Sequence, residues 1–275
     1  MYSQTRDASR RVTATDLAKL RDKGEAIIAV SLHDAWMAEL FDRAGAHILL
    51  VGDSLGMLFQ GQPDTVGVTL EHIIYHTRAV RAGASRAHVV SDLPFLWASR
   101  NEDAALEALG RLMQEGGADS VKLEATERQI PLVTRAVEAG IPIMAHVGLR
   151  PQTARTLGGY PRQGRDAQSA ATIRATAQAL AQAGAYAVLV ENVPDHLGSE
   201  ITQQLTVPTI GIGAGVGCSG QILVAHDILG LSERTPPFAR PFAELGIQAA
   251  AAARAYAQAV SSGQVGGRPP STTRS

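Results

Sequence analysis

Ile48-Leu49-Leu50-Val51-Gly52-Asp53 is an apolar run, too short for a helix, that leads to a carboxylate. Two further stretches repeat the arrangement: Ala87-His88-Val89-Val90-Ser91-Asp92 and Ser120-Val121-Lys122-Leu123-Glu124. Each acidic residue follows the last by about 30 to 40 residues, the length of one strand–helix unit. Such runs between helical patterns read as buried strands of a parallel sheet. Their last residues stand at the mouth of the sheet, where α/β proteins bind ligands. Three carboxylates gathered there, with no cysteine or paired histidine among them, form a hard oxygen site suited to Mg2+.

Working outward, strand and helix signals alternate along the chain. Strands are expected at 26–31, 47–51, 87–91, 120–123, 141–145, 187–190 and 208–212. A weaker eighth is expected at 223–229, or a helical turn followed by a strand. Thr13 and Asp16 have capping-box spacing for a first helix that stops at Gly24. Thr69 caps a helix closed by Gly83, and Ser99 with Glu102 forms a capping box for the next. Helices are also expected at 35–43, 127–139, 168–183, 195–205 and 242–260. Eight βα units predict a (β/α)8 TIM barrel with an N-terminal helix, one catalytic domain over 12–262; a doubly wound open sheet is the runner-up. The Gly-, Pro-, Ser- and Thr-rich stretch 263–275 reads as a disordered tail.

Composition narrows the class. The 275 residues carry a net charge of -1, which gives no push toward nucleic acid or an anionic membrane. The single cysteine, Cys218, excludes a disulfide framework and fits a reducing compartment. The N-terminus is polar and no apolar stretch is long enough to span a bilayer, so a cytoplasmic protein is expected.

The barrel would collect Asp53 and Ser54, Asp92, Lys122 and Glu124, His146, and Glu191 at one mouth. Taken singly, each has a structural reading: an Asp after a strand is commonly a helix cap or a turn residue. Taken together, they are costly to bury unless paired or metal-bound. Lys122 and Glu124 are two apart and share a strand face. The Lys could neutralise an anionic substrate while the Glu faces a metal, directly or through water. Glu191, on another strand, is a candidate base whose pKa a dry pocket would raise. Between the fifth strand and its helix, 147–166 is long enough for a lid or binding loop. Gly211-Ile212-Gly213-Ala214-Gly215-Val216-Gly217 lacks the spacing of a dinucleotide fingerprint; it is either a turn whose amides approach a ligand or a plain tight turn.

An ordered set of motifs adds to this reading. Val51-Gly52-Asp53-Ser54-Leu55-Gly56-Met57 is followed by Tyr75-His76-Thr77, Asp92-Leu93-Pro94-Phe95 and Val121-Lys122-Leu123-Glu124. Then come His146-Val147-Gly148-Leu149-Arg150-Pro151-Gln152, Gly158-Gly159-Tyr160, Gln163-Gly164-Arg165 and Gly220-Gln221-Ile222-Leu223-Val224. From about residue 13 to 263 the chain resembles the ketopantoate hydroxymethyltransferase family. The resemblance implies a Mg2+-dependent barrel of the phosphoenolpyruvate/pyruvate type. It implies transfer of a one-carbon unit from 5,10-methylenetetrahydrofolate to 3-methyl-2-oxobutanoate, giving 2-dehydropantoate for pantothenate and coenzyme A synthesis. By motif, Asp53, Asp92 and Glu124 match metal-associated carboxylates. Asp53, Ser54, Asp92 and Lys122 match keto-acid contacts, His146 a pocket histidine, and Glu191 the proton acceptor. A homo-oligomer, a decamer of two pentamers, is implied too. The chain departs from the family pattern at Ala125-Thr126, at Ser219, at Ser31-Leu32-His33 and at 236–240. Two rival readings are a Mg-dependent C–C or C–P lyase or mutase on a small 2-oxo acid, and a non-catalytic divergent paralogue.

Overall fold

In the computed structural model, which describes residues 10–232 and 235–265, eight parallel strands close on themselves in sequence order. Helix α1 (Ala14–Asp22) precedes β1 (Ile27–Ser31), α2 (Ala35–Arg43), β2 (Ile48–Val51), α3 (Leu55–Leu58) and α4 (Leu70–Gly83). Next come β3 (His88–Asp92), α5 (Glu102–Gln114), β4 (Ser120–Glu124), α6 (Ile130–Glu138) and β5 (Ile143–Gly148). The second half adds α7 (Ala154–Leu157), α8 (Ala167–Gln182), β6 (Ala187–Glu191), α9 (Asp195–Gln204), β7 (Thr209–Ile212) and β8 (Gly220–Val224). Last are α10 (Ala225–Ile228) and α11 (Leu245–Ser261). The expected barrel is present and the open sheet is excluded, because β1 pairs with both β2 and β8.

Alternation along the strands decides what fills the barrel. Ile27 and Ala29, Ile48 and Leu50, Val90, Met144, Ala187 and Leu189, Ile210 and Ile222 pack into one buried cluster, with Leu17 of α1 joining it. The strand period of two then aims Asp92, Lys122, Glu124, His146 and Glu191 to the same interior as Val90, Met144 and Leu189. They form a polar layer between the apolar core and the mouth. The neighbouring positions, Leu49, Val89, Val121, Leu123 and Val188, are buried as well. Both strand faces are therefore apolar, as a barrel wrapped by helices requires.

Local differences from the sequence expectations have identifiable causes. The eighth strand is Gly220–Val224, three residues earlier than read; the apolar run continues into α10, a single helical turn. No helix separates β7 from β8. The Gly-rich stretch returns the chain there, with Gly213 and Gly215 at positive φ. A side chain at Gly215 would strike Asp195, and one at Gly217 would strike Ser199, so α9 packs directly on this turn. Gly83 does not close α4 by a left-handed turn. It lies inside the helix, where a Cβ would collide with the Ala35 carbonyl, and Ala84 is the cap. Asn101 rather than Ser99 caps α5, its side chain accepting from the Ala104 N–H. The predicted boxes at Thr13 and Thr69 both form.

Contacts divide the chain into two compact units, one ending at Ala225 and one beginning at His226. Within the second, Phe242 N–H donates to Ile228 O and Leu245 N–H to Leu229 O, fixing the turn before α11. No residue of α11 is buried. The tail read at 263–275 lies, from residue 266 on, outside the described residues. Among the described residues no helix is long and apolar enough to cross a membrane.

Candidate active site

Strand register brings the acidic residues together. Asp92 stands opposite Lys122, Glu124 opposite His146, and Glu191 opposite Gly148. Lys122 Nζ lies 2.8 Å from Asp92 Oδ2, the same oxygen that accepts the Asp53 N–H at 3.2 Å. Thus the turn after β2 is tied to the end of β3. His146 Nδ1 is 3.4 Å from Lys122 Nζ. An ammonium only donates, so Nδ1 is the acceptor and the ring hydrogen sits on Nε2. That nitrogen lies 3.2 Å from Glu191 Oε2, without the alignment of a hydrogen bond.

Ser54 follows Asp53 and opens α3; its Oγ is 3.4 Å from His33 Nε2, which also approaches Gly52 O at 3.0 Å. His76 Nδ1 donates to His33 O at 2.7 Å. The His33 departure from the family pattern thus braces the β2 turn. The others that fall in the first unit are structural too. Thr126 forms a capping box with Gln129, and Ser219 hydrogen-bonds Thr209, joining the starts of the neighbouring strands β7 and β8.

Gln152 was not singled out as a site residue, yet it touches three strands' ends. Its amide nitrogen donates to Asp53 Oδ2 at 2.9 Å and to Leu93 O at 3.0 Å, and its backbone N–H donates to Glu124 Oε1 at 3.2 Å. The loop 147–166 therefore reaches into the mouth from a short 3-10 turn, Pro151–Thr153, and α7. Asn192, just past Glu191, holds φ 47 and donates from its side chain to Tyr160 O, joining the far part of that loop to β6. A short polar side chain is among the few that adopt this conformation.

The electrostatics follow from burial. Asp53 is pushed up to about 7, by burial first and then by the charge of Asp92, with Lys122 and Gln152 opposing. Burial also lifts the Glu124 carboxyl well above its usual range and raises Glu191 to about 7, with Lys122 opposing. His146 is held well below its usual range by burial and then by Lys122, so it is neutral. Burial opposes the charge on Lys122, but Asp92, Asp53 and Glu124 outweigh it and hold the ammonium above its usual range.

Four carboxyl groups thus share one ammonium, which favours an added cation. Among the described residues, no group of three or more His, Cys, Asp or Glu side chains is placed to hold a metal ion. Asp92 Oδ1 nevertheless is buried with no hydrogen-bond partner, beside an Asp53 whose ionisation is resisted. Two carboxylates with the remaining positions left to ligand and water match the way Mg2+ is commonly held.

Solved structures share this architecture. Phosphonopyruvate hydrolase matches with a TM-score of 0.61 at 15% identity, covering 95% of this chain and 92% of that one. A 2,3-dimethylmalate lyase of the PEP mutase/isocitrate lyase superfamily matches at 0.60 and 18%, covering 94% and 91%. The fold therefore defines a class, the closed (β/α)8 barrel, which these structures share. Sequence relatives narrow it. The family model for ketopantoate hydroxymethyltransferase matches residues 11–267. A protein of Thermosynechococcus vestitus named 3-methyl-2-oxobutanoate hydroxymethyltransferase is 48% identical over 256 residues, 93% of this chain and 98% of that one. One of the same name from Anaeromyxobacter sp. is 45% identical over 261 residues, 93% and 85% of the two chains. The chain belongs to the ketopantoate hydroxymethyltransferase family.

Proposed function

We propose that this site carries out an aldol-type transfer in which Glu191 is the base, 5,10-methylenetetrahydrofolate the one-carbon donor and 2-dehydropantoate the product. The reaction class follows from the family: a hydroxymethyl group is added to 3-methyl-2-oxobutanoate in pantothenate biosynthesis. This favours hydroxymethyl transfer over the lyase and mutase alternatives, since likeness to those barrels extends to the fold alone.

Asp53 and Asp92 would hold Mg2+, with Glu124 facing it directly or through water. When bound there, Mg2+ supplies Lewis-acid chemistry that polarises a keto-acid carbonyl. Lys122 offsets the negative charge of the substrate and pairs with Asp92. Ser54, at the N-terminus of α3, stands ready to hydrogen-bond the keto acid. Neutral His146, held by Lys122, lies with its Nε2 3.2 Å from Glu191 and lines the pocket beside it. Glu191, matched in pKa to neutral pH, takes the proton from the branched carbon. Water takes the methylene carbon from the folate as a formaldehyde equivalent, breaking its C–N bonds and releasing tetrahydrofolate. The carbanion adds to that carbon, and the oxygen takes up the proton held by Glu191 to become the product hydroxyl. A homo-oligomer, a decamer of two pentamers in the cytoplasm, belongs to the same proposal, supported by the family resemblance.

The observation that carries this reading is Glu191, a carboxyl raised to about 7 at the same mouth as the Lys122–Asp92 pair. Purified protein given 3-methyl-2-oxobutanoate and Mg2+ should form 2-dehydropantoate only when methylenetetrahydrofolate is added. Cleavage of the keto acid without folate would favour a lyase, and no turnover at all a non-catalytic paralogue.

A further inference from the structure

A cavity of about 280 Å3 opens beside the carboxylate site and shares two of its residues, Glu124 and Gln152. The loop after β3 gives it an apolar wall, Phe95 and Leu96, both exposed. Leu96 is held at φ 73, a conformation that non-glycine residues rarely adopt and that clusters at ligand clamps. The loops after β4 and β5 contribute Arg128 and Arg150. Neither guanidinium has a carboxylate within ion-pair distance among the described residues. By contrast Arg81, Arg111, Arg135, Arg155, Arg162 and Arg174 are all paired.

Unpaired guanidinium groups beside an apolar wall suit a ligand with a flat body and carboxylates, which arginine grips in bidentate fashion. The volume lies just below the range for whole drug-sized ligands, so only part of a large one fits. The rest must reach over Gln152 toward Glu191. We propose that this cavity receives the carboxylate-bearing tail of the reduced-folate donor, with Arg128 and Arg150 binding its carboxylates and Phe95 and Leu96 packing on the aromatic segment. The proposal rests on the folate-dependent reading above. It assigns the tail to one side of the mouth, so that the one-carbon end points at the keto acid.

The test is steady-state kinetics on the full-length protein and on R128A, R150A, R128K and R150K, with 5,10-methylenetetrahydrofolate as its monoglutamate. Each alanine variant should raise the folate KM at least about tenfold, the loss of a charge-assisted contact, and lysine should restore only part of it. Exchange of the keto acid's methine proton in deuterated water, run without folate, should stay within about twofold of wild type, which also shows that the variants fold. A folate KM within about twofold of wild type in both alanine variants would overturn the proposal. So would a variant that loses proton exchange along with folate affinity, because its arginine would then serve the keto-acid site. A wild-type protein that exchanges the proton but transfers no carbon from folate would overturn the folate reading and this inference together.

Discussion

Lys122 Nζ sits 2.8 Å from Asp92 Oδ2, and the two side chains are 6% and 0% exposed. A charge pair this deep is a poor source of stability in itself, since desolvation offsets the attraction; removing one partner leaves the other stranded. The K122M variant should therefore lose about 3–5 kcal/mol of unfolding free energy. In urea titrations the K122M/D92N double variant should lose less than the sum of the single changes, because the stranded charge has gone as well. Additive losses would show that the pair does not interact.

Glu191 is placed to move one proton, and among the described residues no Lys or Arg lies within ion-pair distance of it; its near neighbour is the neutral His146. E191Q should slow exchange of the methine proton of 3-methyl-2-oxobutanoate by about 10²–10⁴-fold, the usual share of a general base, with keto-acid affinity near that of wild type. Proton NMR in deuterated water reads both the exchange and the binding. Wild-type exchange in E191Q would remove Glu191 from the role.

The pH dependence has a definite sign. A carboxyl pushed up to about 7 works as a base only once it has lost its proton. Lowering the pH protonates it, so kcat/KM for exchange should fall about tenfold per unit on the acid side of pH ~7 and level off above it. An acid limb near the usual carboxylate range would mean that burial does not raise this group.

Gln152 links Asp53, Glu124 and the Leu93 carbonyl through three hydrogen bonds. Residues that orient metal-associated carboxylates are worth about 10–100-fold in metal affinity. Q152A keeps the backbone link to Glu124 but frees Asp53, so calorimetry should show weaker Mg2+ binding within that range. Unchanged affinity would make Gln152 a loop anchor only.

Gly83 is where α4 meets the start of α2, with no room for a Cβ against the Ala35 carbonyl. G83A should destabilise the protein by about 1–3 kcal/mol through forced separation of the two helices, seen as a lower melting temperature with unchanged kinetics per folded molecule. A neutral G83A would mean that α4 is free to shift.

Most of the barrel was legible because both strand faces are apolar and the turns carry Gly, Thr and Asp in mechanically meaningful places. Asp92, Lys122, Glu124, His146 and Glu191 could be placed at one mouth because strand ends in a barrel converge whatever the side chain. Parity then puts Lys122 and Glu124 on one face. Gln152 closes a motif quoted from the sequence but carries no site role there, because it is a neutral amide in a loop and only the folded path of 147–152 brings it to Asp53. The cap of α5 was misassigned because Ser99 and Asn101 both have the right chemistry, and the short 3-10 turn Trp97–Ser99 decides between them. The eighth strand slipped because Gly220 and Gln221 look like a turn, while the apolar residues after them belong partly to a helix.

Calorimetric titration of 3-methyl-2-oxobutanoate into EDTA-treated protein, before and after Mg2+ is restored, reads the Asp53–Asp92 site most directly. Affinity should vanish with the chelator, return with Mg2+ or Mn2+, and fail to return in D53N/D92N. Keto-acid binding that is the same with and without the metal would contradict the assignment of these carboxylates.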